Sequence, residues 1–282
     1  MKKGANLYCF PSECCFPSEW SVERVFQTAK EAGFDGVELD LTENGIVTLD
    51  TSDKELARIA ELAASFQLEL PSVSTALFWR YRFTDPDMAV RRRALDICKR
   101  LIEVASALRV DTVLVVPGVV DEHTPYDAAY ERAQSALAEL SDYAAAHSVV
   151  IAVENVWNRF LLSPLEMKRF VEEIHHPALQ VYFDVGNVLA FGFPEQWIRI
   201  LGGLIRRVHV KDFRQDVGNV HGFTSLLHGD VDWTVVMKAL RDVGYDSYLT
   251  AEIPPNPRFP SESLAEMSRA LDVIRRGGGI PC

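Results

Sequence analysis

Four apolar runs in the second half of the chain each reach a side chain that can bind a metal ion. The runs occupy residues 149–155, 181–184, 208–209 and 248–252, and their candidate ligands are Glu154, Asp184, His209 and Glu252. Short apolar runs between turn signals are typical of strands buried on both faces, which occur in parallel sheets covered by helices. Residues this far apart in sequence converge only if the sheet curls into a barrel, whose C-terminal strand ends form one active-site mouth. The sequence therefore predicts that these four side chains bind one divalent metal ion.

The rest of the chain alternates predicted strands with predicted helices. The predicted strands are 6–10, 36–41, 68–75, 112–117, 149–155, 180–187, 206–212 and 248–253. A helical segment follows each strand, and Asp85 is predicted to cap the helix at 87–108. A doubly wound open sheet is disfavoured because no GxGxxG motif follows the first strand and ligand-type residues end strands five to eight. We therefore predict an α/β fold, a single (β/α)8 TIM barrel in which residues 1–282 form one domain.

The charge of the chain favours a small-molecule substrate. It has 29 Lys and Arg against 40 Asp and Glu, a net charge of −11, which opposes binding to a nucleic-acid backbone. No apolar segment of signal-peptide length follows Met1, and no run approaches membrane-spanning length. We therefore expect a cytoplasmic protein with neither a nucleic acid nor a membrane as partner.

Three carboxylates and one imidazole make an oxygen-rich ligand set. Such a set suits Mn2+ or Mg2+ and tolerates Co2+, and it suits a structural zinc ion less well. Taken singly, each side chain has an ordinary explanation as a surface carboxylate, a turn residue or a core histidine. Their repetition at the ends of four successive strands favours a shared site. Mn2+ is the expected cofactor, with Mg2+, Co2+ and Zn2+ as alternatives.

Several segments resemble the sugar isomerases and epimerases of the xylose isomerase-like superfamily. They are GFDGVELDL, AVENVWNRFLLSP, VYFDVGNV, RRVHVKDF, HGDVDW and YLTAEI. The resemblance covers nearly the whole chain and is closest to ketose 3-epimerases, such as tagatose or psicose 3-epimerase and L-ribulose or L-xylulose 5-phosphate 3-epimerase. It implies that Glu154, Asp184, His209 and Glu252 bind the metal and that the two glutamates also act as acid and base. Members of this family are commonly dimers or tetramers, which implies a homodimer or homotetramer here.

The chemistry of the two glutamates agrees with the reaction that the resemblance implies. Epimerising a carbon next to a ketone removes a proton from one face and returns one to the other, so two bases must flank that carbon. Glu154 and Glu252 lie on predicted strands five and eight and can do this. The metal would hold the substrate oxygens as a cis-enediolate, and a well-placed charge in comparable sites contributes ~3–4 kcal/mol. We therefore predict a metal-dependent isomerase-class enzyme, a 3-epimerase of a ketose or ketose phosphate.

Further side chains after the predicted strands are candidates for substrate binding. They are the aromatic residues Phe78, Trp79 and Trp157, the cations Arg159, Lys211 and Arg214, and the amide Asn187. The aromatic rings would contact the sugar, and the cations would hold a phosphate or carboxylate. Each also has a structural explanation, namely packing under a loop, a solvated surface or a turn. No glycine-rich phosphate loop follows strands seven and eight, so phosphorylation of the substrate stays open. Glu38 on strand two is interpreted as a buried, paired structural carboxylate, and a position in the barrel interior is the alternative.

Other functions of the same barrel stay open. The alternatives on the same metal site are an aldose–ketose isomerase and a dehydratase of cyclic keto-polyols. A sugar-binding barrel without catalysis is less favoured because both glutamates are present. A multi-zinc endonuclease of abasic DNA is disfavoured, since His147, His175 and His176 fall at predicted helix ends and the chain is acidic.

Overall fold

A computed structural model describes residues 1–11 and 20–277 of the protein. Its principal strands are β1 (Lys2–Asn6), β2 (Gly36–Thr42), β3 (Val73–Ser74), β4 (Thr112–Val115), β5 (Val150–Glu154), β6 (Leu179–Asp184), β7 (Ile205–Val210) and β8 (Tyr248–Ala251). Each pairs in parallel with its neighbours in chain order. Strand β1 pairs with both β2 and β8, which closes the sheet. The predicted (β/α)8 TIM barrel is confirmed.

Helices connect the strands and cover the outside of the barrel. They are α1 (Val22–Ala32), α2 (Asp53–Ser65), α3 (Met88–Ala107), α4 (Tyr126–Ala146), α5 (Pro164–Ile174), α6 (Val185–Leu189), α7 (Pro194–Leu201), α8 (Trp233–Asp242) and α9 (Pro260–Arg275). Ser21, Ser52 and Ser163 begin three of them by accepting a backbone N–H of the first turn. The predicted cap of α3 is wrong by two residues, because Asp87 caps the helix while Asp85 accepts the N–H of Asp87. No helix in the described part of the chain is long and apolar enough to cross a membrane.

The interior of the barrel combines an apolar core with a polar centre. Outward-facing strand residues such as Leu39 and Phe183 are fully buried against the helices. Glu38, Tyr182 and His209 point into the barrel and are also 0% exposed. TIM barrels fill this space mainly with branched apolar side chains, so buried ionisable groups here indicate a functional interior.

Two predicted strand positions in the first half of the barrel are wrong. The first strand ends at Asn6 instead of starting there, because the Asn6 side chain accepts the N–H of Tyr8 and caps a short 3-10 helix, Leu7–Cys9. The third strand is only Val73–Ser74. Pro71 lies within the predicted strand and has no N–H to donate to a sheet ladder.

Three strands near the candidate site end earlier than predicted, and one of them, the eighth strand, ends at Ala251 instead of residue 253. The sixth strand ends at Asp184, because its side chain accepts the N–H of Asn187 and begins α6. The seventh strand ends at Val210, and the following pair Asp212–Phe213 forms an antiparallel ribbon with Phe223–Thr224. The helix cap at Asp184 and the ribbon at Asp212–Phe213 give the loops that carry the ligands a fixed local structure.

Candidate metal centre

The four candidate ligands meet at the C-terminal mouth of the barrel. Glu154 and Asp184 end β5 and β6, His209 lies in β7, and Glu252 directly follows β8. Asp184, His209 and Thr250 are register partners across neighbouring strands. Because side chains alternate along a strand, Glu252 faces the same side as Thr250, one step closer to the mouth. One ligand atom from each of the four residues lies within 4.8 Å of the others. The structure thus brings them together as a single cation requires.

His209 is held by carboxylates at both ring nitrogens. Nε2 lies 2.7 Å from Oε1 of Glu38, and Nδ1 lies 3.1 Å from Oε1 of Glu154 and 3.8 Å from Oε2 of Glu252. Burial lowers the pKa of His209, but the charges of Glu38 and Glu252 outweigh it and raise that pKa well above its ordinary value. A cation bound among the carboxylates would replace the proton on Nδ1, while Nε2 would keep donating to Glu38.

Glu38 reaches the barrel interior and contacts His209, a contact that the sequence did not predict. Besides His209, its carboxylate accepts hydrogen bonds from Asn6 Nδ2 at 2.5 Å, from the Tyr182 hydroxyl at 2.6 Å and from Ser72. Burial raises the pKa of Glu38, but the charge of His209 and these donors outweigh it and lower that pKa to about 2. Glu38 is buried and paired, as expected, and it also orients a ligand. The signal was the position of Glu38 in β2, at the start of an alternation of polar and apolar residues that points one face of the strand into the barrel.

Asp184 has one oxygen available for a metal ion. Its Oδ1 accepts the N–H of Asn187 at 2.6 Å, and its backbone N–H and C=O bond the side chain of Asn155 at 2.9 Å each. Its Oδ2 is buried without a hydrogen bond from any described residue, although the Lys211 ammonium lies 2.9 Å away. Burial raises the pKa of Asp184 and Lys211 opposes that rise. A buried carboxylate oxygen that makes an ion pair but no hydrogen bond, and that lies beside other candidate ligands, fits a divalent cation.

The two glutamates have different environments. Burial raises the pKa of Glu154 to about 7, with a further increase from the charge of Glu252. Burial acts to raise the pKa of Glu252 as well, but the charges of Lys211 and His209 outweigh that effect and lower the pKa. Lys211 forms an ion pair with Glu252. One carboxyl therefore binds a proton more readily than the other, as expected for groups that exchange acid and base roles.

A cavity of about 840 Å³ opens above the ligands. Trp79 and Lys211, two of the predicted substrate-binding residues, line it. So do Glu154 and Glu252. The indole of Trp79 is 45% exposed, so its ring is accessible to a ligand at the mouth.

The other two predicted aromatic contacts lie behind the lining of the cavity. Phe78 is fully buried and packs on Phe83, with ring centroids 4.9 Å apart. Trp157 packs on Phe223, which does line the cavity, with ring centroids 5.0 Å apart. Phe78 is thus part of the core, and Trp157 supports the wall from outside.

The predicted polar contacts are also spread out. Asn187 is buried near the ligands, and its Nδ2 donates to the carbonyl of Asn155 at 3.0 Å. The backbone carbonyl of Asn187 accepts the indole N–H of Trp157 at 2.8 Å. Arg159 and Arg214 are exposed and do not line the described cavity. Substrate binding by these three residues stays a prediction.

A group of polar side chains on the opposite side of the cavity was not predicted from the sequence. These side chains are Asn6, Asp40, Thr42, Ser74 and Thr75. In β2 the polar residues Glu38, Asp40 and Thr42 occur at every second position, and this alternation was the available signal. It was obscured because Leu39 and Leu41 make the same segment read as an apolar strand.

The fold and this ligand set together define a (β/α)8 barrel with a candidate centre for one divalent cation. Residues 26–276 match the family described as xylose isomerase-like TIM barrel. The chain belongs to this family, so the resemblance inferred from the sequence is confirmed.

Two relatives and one solved structure illustrate the similarity. A candidate L-ribulose-5-phosphate 3-epimerase of Escherichia coli (strain K12), SgbU, is 28% identical over 261 residues, which is 90% of this chain and 91% of that protein. The L-ribulose-5-phosphate 3-epimerase UlaE of Salmonella heidelberg (strain SL476) is 27% identical over 256 residues, 88% of this chain and 86% of that protein. A crystal structure of D-psicose 3-epimerase in the presence of D-fructose superposes with a TM-score of 0.80 at 19% identity, covering 99% of this chain and 100% of that one. The chain is accordingly an enzyme of the isomerase class.

Proposed function

We propose that the protein is a metal-dependent ketose 3-epimerase. The observation that carries the proposal is the convergence of Glu154 and Glu252 with Asp184 and His209 within 4.8 Å at the barrel mouth. The names of the relatives, which specify 3-epimerisation of a ketose phosphate, support it. The proposed substrate class is a ketose or ketose phosphate.

The cation would be held by Glu154, Asp184, His209 and Glu252. Three carboxylates and one imidazole suit Mn2+, and Mg2+, Co2+ or Zn2+ are alternatives. Bound there, the cation would polarise the ketone and so acidify the neighbouring C–H. His209 would offer Nδ1, because Glu38 engages Nε2.

The remaining chemistry is proton transfer by the two glutamates. Strands β6 and β7 separate β5 from β8 in the ring, so Glu154 and Glu252 approach a bound ketose from different sides. One glutamate accepts the proton from C3, and the other donates a proton to the opposite face, which inverts that carbon. Lys211 places its positive charge beside Glu252 and Asp184, where it favours the negative charge that develops on the substrate oxygens.

Deuterium exchange tests this proposal. Protein loaded with Mn2+ is incubated in D2O with a panel of ketoses and ketose phosphates, and label at C3 and product identity are followed by mass spectrometry and chromatography. We expect deuterium at C3 and the C3 epimer as product. An aldose product would instead define an aldose–ketose isomerase, and no exchange with any sugar would overturn the proposal.

Two substitutions test the roles of the glutamates. Glu154→Gln and Glu252→Gln should each lower turnover at least ~100-fold at saturating Mn2+, because each removes one acid–base group. The exposed Glu61→Gln on α2 is the matched control and should retain full activity. Circular dichroism should show the same fold in all variants. Full activity in either active-site variant would exclude the two-base scheme.

We also propose that residues 1–282 form one domain that assembles into a homodimer or homotetramer in the cytoplasm. Support comes from the resemblance to ketose 3-epimerases. Light scattering of the purified protein tests the assembly, and a monomer would contradict it.

A further inference from the structure

One side of the cavity is formed by polar side chains of the first three strands. This polar wall consists of Asn6, Asp40, Thr42, Ser74 and Thr75. Strand β2 lies opposite β6 in the closed ring, so the polar wall faces the metal ligands across the mouth. A ketose held at the metal centre by its carbonyl end would extend toward the polar wall with the rest of its carbon chain.

The hydroxyl groups of the polar wall donate their hydrogens within the protein. Thr42 donates to the carbonyl of Asn44 at 2.6 Å, and Thr75 donates to the carbonyl of Leu41 at 2.6 Å. Ser74 donates to Asp40. Each hydroxyl has a single hydrogen, so these three side chains can offer a ligand only their lone pairs.

The amide of the polar wall is engaged in the same way. The two N–H groups of Asn6 reach Glu38 at 2.5 Å and Ser74 at 3.1 Å. Asp40, when ionised, has no hydrogen to donate and can only accept hydrogen bonds. The polar wall therefore presents hydrogen-bond acceptors to the cavity, and a matching ligand must bring donors.

The basic side chains of the cavity lie elsewhere. Among the described lining residues only Lys211 and His221 are basic, and neither belongs to the polar wall. Lys211 is already paired with Asp184 and Glu252. Lys211 directly follows β7 and His221 lies in the loop after it, whereas the polar wall belongs to the first three strands. A phosphate at the polar wall would bring more acceptors and a second negative charge beside Asp40, and no basic residue of the described lining belongs to that wall.

We propose that the polar wall selects a ketose whose end remote from the carbonyl carries free hydroxyl groups, with Asp40 accepting a hydrogen bond from one of them. The inference rests on the proposed function and deepens it, because it names the group that the site accepts at that end. It also separates this chain from relatives whose names specify a 5-phosphate substrate. Burial raises the pKa of Asp40 to about 7, so this carboxyl carries a partial negative charge near neutral pH.

The test compares a free sugar with its phosphate. Steady-state kinetics are measured on Mn2+-loaded protein with L-ribulose and L-ribulose 5-phosphate, and with D-fructose and D-fructose 6-phosphate. Of the two pairs, the one that the wild type turns over faster is used for the comparison. In that pair we expect kcat/KM for the free sugar to exceed kcat/KM for its phosphate at least ~10-fold. Asp40→Asn, which places an N–H donor at the same position, should raise KM for the free sugar and reduce that preference to about one-third or less of its value.

Thr42→Val, at another residue of the polar wall, is the charge-neutral comparison. It removes a lone-pair acceptor but leaves the Asp40 carboxylate in place, so the KM for the phosphate should stay at its wild-type value or rise above it. A wild type that prefers the phosphate, or a preference unchanged by Asp40→Asn, would overturn the inference. Turnover of none of these sugars would count against the proposed function. Sugar affinities measured by calorimetry on the same proteins would then decide the role of Asp40, and equal values for wild type and Asp40→Asn would overturn it.

Discussion

Glu38 and Asp40 are two residues apart on the same face of β2, yet their surroundings give them different charges. Four donors surround Glu38 and, against the effect of burial, the charge of His209 lowers its pKa to about 2. Burial raises the pKa of Asp40 to about 7, and the Ser74 hydroxyl only partly opposes this. The deeper carboxylate is thus a fixed negative charge beneath the metal centre. The outer carboxyl is placed to meet a ligand.

The contact between Glu38 and His209 gives a prediction about metal affinity. Glu38→Gln removes the charge that holds Nε2–H and turns an amide N–H toward groups that are themselves donors. We expect the affinity for Mn2+, measured by calorimetry, to fall ~10- to 100-fold, as is usual when a partner of a metal-binding histidine is removed. Excess Mn2+ should restore most of the activity.

Glu69→Gln is the control for this substitution. Glu69 also bonds a tyrosine, Tyr248, and a lysine, Lys2, but neither partner is a candidate ligand. Its loss should leave Mn2+ affinity unchanged. If Glu38→Gln binds Mn2+ as tightly as the wild type, the proposed orienting role of Glu38 is wrong.

At the scale of elements, the loop after β7 is held by a single buried carboxylate. Asp212 is fully buried and accepts hydrogen bonds from the N–H groups of Leu227 at 2.9 Å and Val231 at 3.1 Å. It also accepts the indole N–H of Trp233 at 3.0 Å, which ties the loop to the start of α8. This loop carries Phe223, which lines the cavity.

Asp212→Asn should therefore destabilise the protein. The new amide N–H faces donors, and an unsatisfied buried donor costs about 1–3 kcal/mol. Urea denaturation should show a free energy of unfolding lower by about that amount per lost bond. Asp216→Asn, on the exposed part of the same loop, should have no measurable effect. Equal stability of the Asp212 variant and the wild type would show that the hydrogen bonds of Asp212 do not stabilise this loop.

The sequence predicted the order of strands and helices well because that order depends on local patterns. Apolar runs, serine caps and terminal glycines each act within a few residues. It did not predict the end of β6, because Asp184 can either extend a strand or cap a helix and only the bond to Asn187 decides. The acceptor character of the polar wall was not predictable either, since it depends on contacts between three strands.

At the scale of the whole molecule, the closed barrel converts long sequence separations into contacts. Glu38 and His209 are 171 residues apart and share a hydrogen bond inside the ring. Closure by β1 against β8 places the polar wall and the two glutamates, Glu154 and Glu252, around one cavity. The convergence of the four ligands followed from the sequence once a barrel was assumed, because parallel strands that form a barrel end at one rim.

The most direct test of the account is a titration of catalysis with metal. Protein freed of metal by a chelator is mixed with the ketose that exchanges fastest in the D2O panel, and C3 exchange is followed as Mn2+ is added. A catalytic centre for one cation predicts no exchange without metal and a plateau at one ion per chain, with Asp184→Asn requiring far more Mn2+. Full exchange by the metal-free protein, or a plateau that needs two ions per chain, would contradict it.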